Sequence, residues 1–147
     1  MKNKACLLKN LLIIMVTMKK FKFVGEYEVR ASCKMIYPYL HSPSGLADWF
    51  AEEVKVVGDY FDFIWDQESH KGRITSQRLN KSVRFEFLPE TKEDEIEPAF
   101  IEFRIENNEI TGSTFLKITD FSSMDDKEEL AELWSGLVHT LKERIGG

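Results

Sequence analysis

Residues 123–145, SMDDKEELAELWSGLVHTLKERI, decide how the rest of the chain is read. Leu130, Leu133, Trp134, Leu137, Val138, Leu141 and Ile145 recur at steps of three and four, which places them in one apolar stripe of a helix about 20 residues and roughly 30 Å long. Ser123, with Asp126 three residues on, fits an N-terminal capping pattern. Glu128 and Glu129 suit the positive end of the helix dipole, Lys142 and Arg144 the negative end, and Gly146-Gly147 ends the element.

The chain ahead of this helix supplies mostly strands. Phe21 to Arg30 alternates loosely with period two and reads as a strand over about 20–29. Cys33 to Leu40 has helical spacing behind a Ser32 cap, with Pro38 expected to shorten or bend it. Ser42-Pro43 opens a second short helix carrying Leu46, Trp49 and Phe50. Val54–Val57 and Tyr60–Trp65 flank Gly58-Asp59, a tight-hairpin pair. A turn at Gln67–Ser69 leads to a strand over 71–78, and Val83, Phe85 and Phe87 mark the next. Pro89 to Pro98, with five acids, reads as a solvated loop, and strands over 100–105 and 114–119 complete the set.

The order is one strand, two short helices, six strands and one long helix: an α+β domain with a seven-stranded antiparallel sheet. One helix about 10 Å across cannot cover seven strands spaced about 4.8 Å apart. If the sheet curves round the helix, the uncovered interior becomes either aromatic packing or a pocket.

Composition narrows the function. The 147 residues are 43% hydrophobic and 31% charged, enough for one domain with a core. Residues 1–20 hold five lysines and no acid, leaving 15 basic against 25 acidic residues in the remainder. That balance argues against nucleic acid, which needs a basic face. Cys6 and Cys33 have no metal-ligand spacing and give no disulfide framework, so a cytoplasmic protein is expected. His41, His70 and His139 lack a second ligand at characteristic spacing, so no metal is expected. No catalytic set or phosphate cradle is present, and neither a catalytic residue nor a cofactor is assigned. A carboxylate with its pKa raised in a cavity keeps acid–base chemistry open through Glu26, Glu28, Asp62 or Asp66.

Residues 1–19 read as an N-terminal extension ahead of a 20–147 domain. The apolar run Leu11–Val16 behind Lys2, Lys4 and Lys9 has the charge order of a secretory leader but is too short for stable membrane insertion and lacks a cleavage site. Met18 is the expected start; a cleaved or lipid-touching leader and an ordered accessory element are the other readings.

The stretches Leu46–Phe50, Gly58–Trp65, Gly72–Ile74, Val83–Phe87, Thr114–Thr119 and Glu132–Leu141, in that order, make the chain from Phe21 onward resemble the START-like, helix-grip superfamily (SRPBCC) that includes the birch-pollen-allergen fold. Within it, the chain is similar to the C-terminal domain of the activator of the ninety-kilodalton heat-shock chaperone's ATPase. The resemblance implies a curved sheet gripping the last helix, with a cavity between them that holds apolar ligands in relatives. It supplies no universal catalytic set. The chain departs from the common pattern at Asp120, where many relatives have histidine after the last strand, and in its acidic 90–97 loop.

The ligand-binding candidates are Trp49, Phe61, Phe63, Trp65, Arg73, Phe85, Phe87, Phe103, Leu133, Trp134 and Leu137. Each aromatic reads equally as plain core, and Arg73 as solvated or as an anion anchor. Gly136 marks either a close approach or simple tolerance. The expected function is non-catalytic carriage or sensing of a hydrophobic small molecule or lipid in that cavity, by a monomer or weak homodimer. The alternatives are a protein-interaction domain using Tyr60, Ile64 or Phe115 on the outer sheet face, and a small-molecule enzyme using the same cavity.

Overall fold

The computed structural model describes residues 20–124 and 126–146, so the expectations for residues 1–19 lie outside the described residues, as does Cys6. Strands β1 (Phe21–Val29), β2 (Glu53–Val57), β3 (Tyr60–Trp65), β4 (Glu68–Arg78), β5 (Ser82–Phe87), β6 (Phe100–Asn107) and β7 (Thr114–Ser122) form one antiparallel sheet in the order β1-β7-β6-β5-β4-β3-β2. Every neighbour pair except β1–β7 is a chain-consecutive hairpin, and β1 closes beside β7 with Phe23 opposite Asp120.

Three short helices follow β1: α1 (Cys33–Ile36), α2 (Pro38–His41) and α3 (Pro43–Ala47). Two were expected. Pro38 has no N–H to continue α1, and its fixed φ suits a first turn, so it starts a new helix instead of bending the old one. Ser32 Oγ accepts from Met35 N, and Ser42 Oγ from Gly45 N, as each cap requires. The cluster plugs one side of the core with Ile36, Tyr37, Leu40, Leu46, Trp49 and Phe50, and Trp49 Nε1 donates to the Tyr39 carbonyl at 2.8 Å.

The β2–β3 hairpin turns at Gly58, whose φ is +62°. The next turn corrects the reading of 67–69: Asp66 and Gln67, at φ +49° and +67°, make a two-residue loop, and β4 begins at Glu68. Two successive left-handed residues match the twist of paired strands, which outweighs the weak turn propensity of glutamine. The acidic stretch contains a short helix, α4 (Lys92–Ile96), where only a loop was expected. β7 runs three residues beyond its expected end at Thr119 and takes Asp120 and Ser122 into the sheet.

The last helix, α5 (Lys127–Ile145), is capped by Asp126, not Ser123; Asp126 Oδ1 accepts from Glu129 N at 3.1 Å. Leu130, Trp134, Val138 and Leu141 are buried against the sheet, with Leu137 and Ile145 packed beside them. Leu133 is 47% exposed, a departure from the expected stripe. At 100° per residue it stands roughly 90° from the centre of the arc that the buried positions define.

Candidate functional site

Aromatic rings occupy the space between the sheet and α5. Trp134 stacks on Phe50 with centroids 5.8 Å apart, Phe103 meets Trp49 at 5.4 Å, and Phe63 sits edge-on to Phe85 at 5.4 Å. Trp49, Phe63, Phe85, Phe103 and Trp134 are therefore core, and Phe61 packs against the same cluster. Leu137 is half-buried against this core. Leu133 and Arg73 are exposed, the latter on the outer sheet face between its cross-strand neighbours and solvent. Alternation sends Arg73 outward because Gly72 and Ile74 face the core.

A pocket of about 750 Å³ opens beyond this packed interior, at the end of the sheet where β7 gives way to the connection into α5. This is a different place from the expected cavity along the helix, and no α5 residue lines it. Large rings that stack well fill an interior more completely than their count alone suggests. Trp65 and Phe87 are the two ligand candidates on its wall. Trp65 ends β3 and is held by its Nε1 donating to the Phe50 carbonyl at 2.8 Å; its ring lies 5.3 Å from that of His70 at the start of β4. Leu88 to Thr91 and Asp94 form the opposing wall, and Ala99 to Ile101 and Asp120 to Met124 complete it.

The acidic segment is tied across the site. Lys20 Nζ pairs with Asp94 Oδ1 at 2.5 Å, with only 6% of the lysine side chain exposed. Asp94 Oδ2 also accepts from Glu90 N, and Asp94 N donates to Thr91 Oγ1. Burial works to raise the Asp94 pKa, but hydrogen bonds from Lys20, Glu90 and Thr91 and the lysine charge outweigh it, so the carboxyl sits below its ordinary range.

Asp120 is the residue that the sequence reading missed as a site member. It lines the pocket, is 7% exposed, and stands in a row with Phe23 on one side and Ile101 on the other. Trp134 Nε1 donates to its Oδ2 at 2.9 Å. Burial raises its pKa; the indole hydrogen bond and the adjacent Ser122 hydroxyl offset this only in part. The signal was present in Leu116-x-Ile118-x-Asp120-x-Ser122, whose period of two continues inward past the apolar residues.

The outer face carries Arg84, paired with Glu86 and lying 3.7 Å over the Phe100 ring, and the Arg104–Glu102 pair. Tyr60, Ile64 and Phe115 are half-buried there. Among the described residues no cluster of His, Cys, Asp and Glu is placed to hold a metal ion, and no helix is long and apolar enough to cross a membrane.

The family model described as START-like superfamily domain matches residues 16–147. No curated protein matches the sequence. Among solved structures, the chain is similar to the Aha1 dimer from Colwellia psychrerythraea, at 21% identity and TM-score 0.68 over 85% of this chain and 96% of that one. It is also similar to protein MLL2253 from Mesorhizobium loti, at 14% identity and TM-score 0.64 over 84% and 95%. A third, EF2215 from Enterococcus faecalis, a conserved protein of unknown function, has 20% identity and TM-score 0.60 over 91% and 81%. At these identities the likenesses establish the fold.

Proposed function

The chain belongs to the START-like superfamily, and from that premise we propose that it binds a largely apolar small molecule or lipid without transforming it, as a carrier or sensor. The observation that carries this reading is the pocket of about 750 Å³ with Trp65 and Phe87 on its wall and polar and charged side chains, Asp120 among them, beside these rings. A space of that size lies within the range that encloses ordinary small ligands, and a wall that combines aromatic rings with polar groups supplies affinity and orientation separately. The pocket lies at the strand ends, where a ligand can enter without parting α5 from the sheet.

Native mass spectrometry of protein purified without detergent tests the proposal. A retained adduct that disappears in Ala99→Trp, which fills the pocket from its rim, is the expected result. An adduct-free protein whose tryptophan fluorescence also fails to respond to a panel of lipids and apolar metabolites would overturn it.

A further inference from the structure

Two neighbouring polar side chains in the pocket are incompletely satisfied by the protein: a buried carboxyl without a counter-cation and a buried hydroxyl. Trp134 donates to Oδ2 of Asp120, the Ser122 hydroxyl is the other polar group beside the carboxyl, and no described cation lies within ion-pairing distance. Ser122 Oγ is buried, and its hydroxyl lies beside the Asp120 carboxyl without making a well-formed hydrogen bond. Both residues sit on the core-facing side of β7, two positions apart, and both line the pocket. A buried carboxylate without a counter-cation is unfavourable in itself, and a buried hydroxyl without a well-formed hydrogen bond adds to the deficit.

We propose that Asp120 and Ser122 form an ammonium-binding corner, so that the ligand is an amine carried on an apolar body. This rests on the small-molecule reading of the pocket. An ammonium group brings one positive charge and up to three N–H donors; the Asp120 carboxylate and Ser122 Oγ keep acceptor capacity for them. Trp65 and Phe87 then take the apolar body.

The other charges around the pocket favour a cation. Lys20, ahead of β1, is already paired with Asp94 of α4; Glu90 on the following wall is a further acid; Lys71 of β4 is exposed, and His70 beside it lies 3.8 Å from Glu68. A carboxylate ligand would set like charge against Asp120 and Glu90. A neutral alcohol supplies one donor and leaves the Asp120 charge unbalanced.

Isothermal titration of the full chain at pH 7 with 4-phenylbutylamine, 4-phenylbutan-1-ol and 4-phenylbutanoate distinguishes these cases. The amine is expected to bind about 10-fold more tightly than the alcohol, the carboxylate most weakly, as one charge-assisted hydrogen bond implies. Asp120→Asn, which keeps an acceptor for Trp134, is expected to bring amine and alcohol to equal affinity, and Ser122→Ala to weaken the amine a few-fold. Near-ultraviolet circular dichroism confirms that each variant is folded. Equal binding of amine and alcohol to the unaltered protein, or an amine affinity unchanged in Asp120→Asn, overturns the ammonium corner; if that binding is lost in Ala99→Trp, the pocket reading stands. Failure of all three probes overturns the corner, and the adduct experiment then judges the pocket separately.

Discussion

The indole Nε1 of Trp134 donates to Asp120 Oδ2 at 2.9 Å, joining the middle of α5 to the last turn-ward stretch of β7. It is a link between elements that are consecutive in the chain yet meet face to face, and it holds a carboxyl group inside an apolar row. The ring that contributes the donor is itself 2% exposed. One hydrogen bond therefore fixes both the rotamer of a core tryptophan and the orientation of the buried carboxyl group.

The charge on Asp120 should make the protein less stable as pH rises. Its pKa is raised in the folded state, so the folded chain binds more protons than the unfolded chain between the two values, and stability falls with increasing pH across that interval. Asp120→Asn should raise Tm at pH 7 by ~3 °C, corresponding to about 1 kcal/mol, and lose that advantage below the ordinary carboxylate range. Thermal melts of both proteins between pH 3 and pH 7 check this; an advantage independent of pH would refute the electrostatic cause.

Trp134→Phe keeps most of the buried ring and removes the donor. Leaving Asp120 buried without it should destabilise the fold by about 2 kcal/mol, and the double variant with Asp120→Asn should show coupling between the two sites. A double-mutant cycle in urea measures the coupling, and strict additivity would deny the link an energetic role.

Lys20 and Asp94 tie the acidic segment to the start of the sheet. The Asp94 pKa is lowered, so the stabilisation is present above its unfolded value and lost as pH falls through the folded one. Lys20→Met should release the segment by about 1 kcal/mol, read as roughly 5-fold faster hydrogen exchange across 88–97 at neutral pH with little change elsewhere. Exchange that rises equally throughout the sheet would mean that the pair supports the whole fold instead.

Two glycines should respond in opposite directions. A Cβ on Gly45 would lie 2.2 Å from the Pro38 carbonyl oxygen, a backbone atom that cannot step aside, whereas one on Gly136 meets nothing within 4 Å. Gly45→Ala should cost about 2 kcal/mol or more. Gly136→Ala should stabilise by about 0.5–1 kcal/mol, because it improves an open position in a helix interior. Denaturant midpoints separate the two, and a destabilised Gly136→Ala would reveal a close approach that this packing does not contain.

Much of the fold was written in local patterns. The three- and four-residue spacing from Leu130 to Ile145 specified α5, and the period-two runs around Phe61–Trp65, Val83–Phe87 and Phe100–Ile105 specified strands whose inward residues are the ones found inward. Such periodicities are properties of a single element, so one sequence suffices to read them. Leu133 shows the limit of this. It shares the apolar spacing, but how wide an arc of the helix is covered depends on the sheet opposite, and the sheet does not reach it.

The site depended on that wider arrangement. Which aromatics would fill the interior and which would border a void is set by how rings from the turn after α3 and from β3, β5, β6 and α5 pack together, a relation among residues far apart in the chain. Asp120 is the clearest case: its polarity ended the strand in a reading of neighbours alone, while pairing with Phe23 and Ile101 carried the strand through it and buried it beneath Trp134. The sequence by itself determined the seven strands, the long helix, their order and the face most of them turn inward. Only the tertiary structure decided where packing stops and the pocket begins, because a void is defined by what several distant segments together fail to fill.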